Sequence, residues 1–173
     1  MESKEPFCVR CARVMKTCCE VCEIYVSPGD FSRIANYTGQ RDFCEFRVPM
    51  SPDYLPDGDD PAWRECVFRL DGSRRVLKRS AAGACTFLGP KGCQLPLDVR
   101  PLVCRLYPYQ YTEHGILEEL ARGCPVRLLR PGQSLILALG MNLDDALVWH
   151  RQLYDEIQHE KDPAEKVILC ASV

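Results

Sequence analysis

The residues able to do chemistry in this chain are its cysteines. There are twelve in 173 residues, and nine fall into two groups. Cys8, Cys11, Cys18, Cys19 and Cys22 lie near the N-terminus. Cys85, Cys93, Cys104 and Cys124 follow in the centre. Cys8-Val-Arg-Cys11 and Cys19-Glu-Val-Cys22 are both C-x-x-C. That spacing puts two sulfurs on one side of a tight turn, as zinc knuckles and iron–sulfur loops require. Thiolates select zinc, copper(I) or iron–sulfur units. The three histidines have no ligand spacing to a cysteine pair, so all-sulfur coordination is expected. Zinc takes four thiolates at about 2.3 Å, and an iron–sulfur cluster also accepts four cysteines. The sequence leaves zinc and iron–sulfur open.

The central expectation is that the two cysteine groups meet in space and share the ligation. Nine thiols can supply two tetrathiolate sites with one left over, or one site with several spares. Adjacent Cys18 and Cys19 point in different directions, so they can serve two centres, or one can ligate while the other packs. Cys44 and Cys66 stand apart and read as small buried hydrophobes. Cys170, near the C-terminus, reads as a non-ligand. Arg100 and Arg105 flank Cys104, where a guanidinium can donate to thiolate sulfur or pair with acidic neighbours.

Composition narrows the classes. Lys and Arg number 22 against 24 Asp and Glu, a net charge of −2. That balance gives no global field for nucleic acid. The N-terminus MESKEPFCVRC has no apolar leader, and no run of about 18 apolar residues occurs. A cytoplasmic protein off the membrane is therefore expected, where cysteine clusters bind metal or do redox chemistry more often than they form disulfides. A protein partner is left open.

The elements that must hold these thiols come next. Residues 85 to 108, CTFLGPKGCQLPLDVRPLVCRLYP, are too rich in Pro and Gly for one long helix or a plain strand pair. Asp98 is placed to cap a short helical turn through Val103 to Leu106. Ser27, Pro28 and Asp30 open a helix, Phe31, Ile34 and Ala35 give it an apolar stripe, and Gly39 stops it. Residues 47 to 62 read as an acidic surface loop. Its Asp57, Asp59 and Asp60 lack the ordered calcium-loop pattern. Residues 63 to 79 predict a hairpin about Asp71-Gly72, with Arg69, Arg74, Arg75, Lys78 and Arg79 on its solvated face. A second hairpin is predicted over 108 to 121 about His114-Gly115. Ser134 to Leu139 fits a strand or a helical turn. Asn142 starts a long helix ending near Asp162-Pro163, with His150 and His159 on opposite faces. The fold class expected is α+β: one small, loop-rich domain organised around a cysteine-ligated metal or iron–sulfur centre. Residues 1–130 form the cysteine-cluster domain, and residues 131–173 a helical extension packed on it.

Four blocks of the chain resemble the YkgJ-type cysteine-cluster family, described as zinc- or iron-chelating. They are Phe7-Cys8, Cys11 and Cys18-Cys19; then Asp30, Arg33, Ile34 and Ala35; then Cys85, Phe87, Leu88, Gly92, Cys93, Arg100, Pro101, Cys104, Arg105, Tyr107 and Pro108; and last Cys124-Pro125. The third is the most specific. The segment Ala12 to Thr17 is longer than the family's gap, which leaves the ligand set open between Cys8 with Cys11 and Cys22. The resemblance implies metal or iron–sulfur binding. A related domain occurs in flagellin lysine N-methylases, so redox or protein-lysine methyl transfer at the centre is the alternative function. A zinc-stabilised interaction module is a third.

Overall fold

The computed structural model describes residues 5–55 and 60–159. Asp57, Asp59, the end of the last helix at Asp162-Pro163, and Cys170 lie outside them.

Seven helices, three two-stranded antiparallel sheets and two 3-10 turns are found among the described residues. Short helices α1 (Phe7–Ala12) and α2 (Cys18–Val21) carry four of the five N-terminal cysteines, and Cys22 follows α2 directly. Helix α3 spans Pro28–Thr38. Strand β1 (Cys44–Arg47) pairs with β2 (Arg74–Leu77), and α4 (Pro61–Val67) lies between them in sequence. The two-residue strands β3 (Leu88–Gly89) and β4 (Gly92–Cys93) make a tight hairpin. Helix α5 (Leu102–Leu106) leads through a cis Tyr107–Pro108 bond into the hairpin of β5 (Tyr109–Thr112) and β6 (Gly115–Leu120). Helices α6 (Leu135–Ala138) and α7 (Leu143–His159) end the described chain. The helices and small antiparallel sheets make this an α+β protein. No helix among the described residues is long and apolar enough to cross a membrane.

Two apolar clusters form the interior. The first gathers Ile24, Val26, Ile34, Phe43, Leu77, Phe87, Leu95 and Val99, and buries Cys85 with them. The second gathers Tyr25, Val67, Leu102, Leu106, Ala146, Leu153, Tyr154 and Ile157. Helix α7 supplies the second cluster and lies against α5 and α4. Ala146, Leu153, Tyr154 and Ile157 face inward at helical spacing, whereas Leu143 and Leu147 are exposed.

Helix α3 begins and ends as its sequence dictates. Asp30 N–H donates to Ser27 Oγ at 3.0 Å, Ser27 N–H donates back to Asp30, and Gly39 closes the helix in the left-handed region. Asp30 also does something no local pattern shows. Its Oδ1 accepts the Leu102 N–H at 3.0 Å, so one buried carboxylate caps both α3 and α5. Asp98 does not cap α5; its carbonyl accepts from Arg105 instead. Arg33 bridges Asp30 and Glu156 of α7, each at 2.6 Å. Glu156 accepts from Ser27 Oγ as well. Gly29 leaves room for this arrangement, because a Cβ there would displace the Glu156 carboxylate.

The hairpin expected over 63 to 79 is not formed. Asp60 accepts the Trp63 N–H at 3.1 Å and Pro61 fills the first helical position, so 61–67 is helical. Trp63 and Val67, one helical turn apart, meet the second cluster. Asp71-Gly72 does turn, with Gly72 at φ 78°, but β2 pairs with β1 some thirty residues back. The basic residues are accordingly not one solvated face. Arg74 is 3 % exposed and pairs with Glu23 at 3.2 Å. Lys78 pairs with Asp42, and Arg69 and Arg75 lie over the Phe46 ring.

The shared cap makes a direct prediction. Asp30→Ala leaves the Ser27 and Leu102 N–H groups without their acceptor and removes one of the two carboxylates that Arg33 bridges, and costs about 3 kcal/mol in urea unfolding. A loss indistinguishable from zero contradicts the double cap.

Candidate metal centre

Of five cysteines on the first apolar cluster, four are neighbours of one another and Cys44 stands apart. Cys85 is buried within it, and Cys19, Cys93 and Cys104 pack against it. Each arrives on a different element. Cys19 sits in α2, Cys93 in β4 and Cys104 in α5, and Cys85 enters through an isolated bridge to Arg79. The two regions are joined by backbone. The Cys85 N–H donates to the Cys19 carbonyl at 2.6 Å. Arg79 reinforces the junction from the end of β2, donating to the carbonyls of Glu20, Cys22 and Gly83. The N-terminal and central cysteine groups therefore meet, as their chemistry suggested.

Electrostatics show what such an arrangement lacks. Burial, then the neighbouring Cys85, Cys93 and Cys8, push the Cys19 thiol up to about 11. Burial raises Cys104 well above the ordinary thiol range, with Cys19, Cys85 and Cys93 adding to it. Cys85 is raised by burial and by Cys93. Burial first, and then the charge of neighbouring thiols, makes Cys19, Cys85 and Cys104 resist ionising. A bound cation removes that penalty, and a coordinating thiol is deprotonated outright. The donor set fits a thiolate-bound metal.

The remaining thiols, Cys8, Cys11, Cys18, Cys22 and Cys124, neighbour one another, and Cys8 neighbours Cys19 as well. Cys18 donates its S–H to Cys22 and is held up by that bond and by burial. Cys22, accepting from Cys18 and from the Tyr54 hydroxyl and facing Arg79, falls to about 6. The pairing is thus Cys18 with Cys22, and the C-x-x-C partners Cys19 and Cys22 diverge. The Tyr107 hydroxyl hydrogen-bonds both Cys18 and Cys124. It lies so close over Gly123 that a Cβ there would collide with it. Cys8 and Cys11 come near Cys124 on α1, which the Arg10 Nη1 bond to the Leu128 carbonyl, 3.0 Å, anchors beside residues 126–128.

All eleven cysteines of the described residues are free thiols. No three His, Cys, Asp or Glu side chains among those residues are already gathered into a set able to hold an ion.

Several expectations are corrected. Arg105 donates to the carbonyls of Arg100 and Asp98, at 2.8 and 2.7 Å, and Arg100 donates to Leu95 O at 2.9 Å. Both brace the loop around Cys104 through its backbone, although Arg100 stays near enough to Cys8 and Cys19 to favour their thiolates. Cys44 packs on the first cluster and Cys66 on the second, as small hydrophobes do. His150 is buried, its Nε2 donating to Thr112 O at 2.7 Å, and His159 is exposed; neither approaches the thiols. Sequence reasoning missed Tyr54, Arg79 and the hydroxyl of Tyr107. Only Tyr107 carried a signal, its place in the third resembling block.

No curated protein and no solved structure matches the chain significantly. A family model does match, over residues 7–125, which include all nine clustered cysteines; its description is "CxxCxxCC: Putative zinc- or iron-chelating domain". That span is more than half of the chain, and the chain belongs to this family of cysteine-cluster, metal-chelating domains, the YkgJ type.

Proposed function

We propose that the chain binds a zinc ion or an iron–sulfur cluster through its converged thiolates, and that Cys19, Cys85, Cys93 and Cys104 hold it. The observation that carries this reading is the packing of those four thiols on one apolar cluster, with Cys85 N–H bonded to Cys19 O. Four sulfurs from separate elements satisfy either species. Bound there, the metal supplies the positive charge that the buried thiols lack. It also clamps loops with little regular structure of their own.

The chain's own residues set the environment. The Arg100 and Arg105 bonds to backbone carbonyls fix the loop that carries Cys104. Phe87, Leu95 and Val99 screen the inner thiols from water, which slows ligand exchange. The hydrogen bonds of Arg79 hold α2 against β2, so that Cys19 stays opposite Cys85. These features suit a structural or electron-carrying centre with a closed shell.

Chain isolated without oxygen should contain stoichiometric metal. Broad visible absorption with acid-labile sulfide identifies an iron–sulfur cluster, and a colourless chain with zinc identifies the ion. Cys85→Ser and Cys104→Ser should each lose most of the metal, whereas Cys66→Ser should retain it. Equal retention by all three overturns the assignment. Structural zinc contributes on the order of 10 kcal/mol to folding. A strong chelator should therefore abolish the circular dichroism of native chain, and unchanged melting after complete metal removal contradicts the clamp.

A further inference from the structure

Helix α7 has a second face. Its inward side, with Ala146, His150, Leu153, Tyr154 and Ile157, is buried, and the helix lies against α5 and α4. The outward side carries Asp144, Leu147, Val148 and Arg151. These are spaced i, i+3, i+4 and i+7, so they share one stripe of the helix. Leu147 is 41 % exposed and Val148 51 %; Leu143, one turn before Leu147, is 52 % exposed. Asp144 and Arg151 are exposed as well. The polar contacts within the helix region, Asn142 with Asp145 and Gln152 with Glu156, leave both of these charges out. Asp144 and Arg151 stand two turns apart, about 10.5 Å along the axis, too far to satisfy each other. The stripe therefore reads acid, apolar, apolar, base.

We propose that this face pairs with itself: two copies of the chain associate through antiparallel α7 helices, about a two-fold axis passing between Leu147 and Val148. The order of the stripe is self-complementary in that orientation. Leu147 of each copy meets Val148 of the other, and Asp144 of each meets Arg151 of the other. Two ion pairs then flank an apolar centre. A parallel pairing in register sets acid against acid and base against base, and is repelled. Exposed ion pairs contribute little affinity, so the apolar centre drives association and the charges fix its direction. One helix pair covers less than the roughly 800 Å² per copy of a standard interface, so the dimer exchanges with monomer. The inward side of α7 faces α5, which carries Cys104. The outward side is turned away from the thiols, so the pairing leaves them open and does not rest on the chelation reading.

The test is sedimentation equilibrium of the full chain over a range of concentrations, with reductant present to exclude disulfide-linked copies. The weight-average mass should rise from that of one chain, 19.7 kDa, towards twice it. Leu147→Glu should weaken association by about tenfold or more. Asp144→Arg sets base against base at both ends of the pairing, and Arg151→Asp sets acid against acid. Each variant alone should stay at the mass of one chain. An equimolar mixture of the two should associate again, because every pair across the axis is then acid with base. A misfolded variant does not regain association on mixing, so the rescue separates the interface from a folding defect. A chain that stays monomeric throughout, association that survives both charge reversals, or a mixture that fails to associate overturns the proposal.

Discussion

The structure depends on a charge problem. Cys19, Cys85, Cys93 and Cys104 are packed against one apolar cluster, where burial first and neighbouring thiols second make Cys19, Cys85 and Cys104 hard to ionise. As neutral thiols they are weak hydrogen-bonding groups and add little to a core. As thiolates without a cation they repel one another in a low-dielectric setting. A dication or cluster among them reverses the sign of the interaction. The bond from Cys85 N–H to Cys19 O, and the three carbonyls gathered by Arg79, fix the loops whether or not the sulfurs are ionised.

A second constraint supports the first at a distance. Asp30, Arg33 and Glu156 tie the N-termini of α3 and α5 to α7. Helix α5 carries Cys104, and α3 packs Ile34 and Ala35 under the first cluster. The long C-terminal helix therefore bears on the thiol region without contributing a donor to it. Removing one partner of such a buried set leaves the others uncompensated, which is why an apolar helix face alone does not explain the role of α7.

Local rules made much of this legible. Ser27 with Asp30, Gly39, Asn142 and the His114-Gly115 turn act within a few residues of themselves, and each element appears where its signal lies. The convergence of the cysteines followed from residue type, since buried thiols in such number and spacing have few other uses. Non-local choices were illegible. Nothing within 63 to 79 says that Arg74–Leu77 pairs with Cys44–Arg47, and the real turn at Asp71-Gly72 invited the wrong strand. Asp60-Pro61 did carry a helix-start signal, hidden in an acidic, proline-rich run. The reach of Asp30 to Leu102, across 72 positions, and of Tyr107 to Cys18 belongs to tertiary structure alone.

The central claim is that sulfur from these cysteines is bonded directly to metal. X-ray absorption at the metal edge of the isolated chain measures that bond. If the metal is zinc, the first shell should consist of sulfur at about 2.3 Å, four per ion at a closed site; an iron–sulfur cluster should add a metal–metal scatterer beyond its sulfur shell. A first shell of oxygen and nitrogen alone, in reduced chain that retains its metal, contradicts the account.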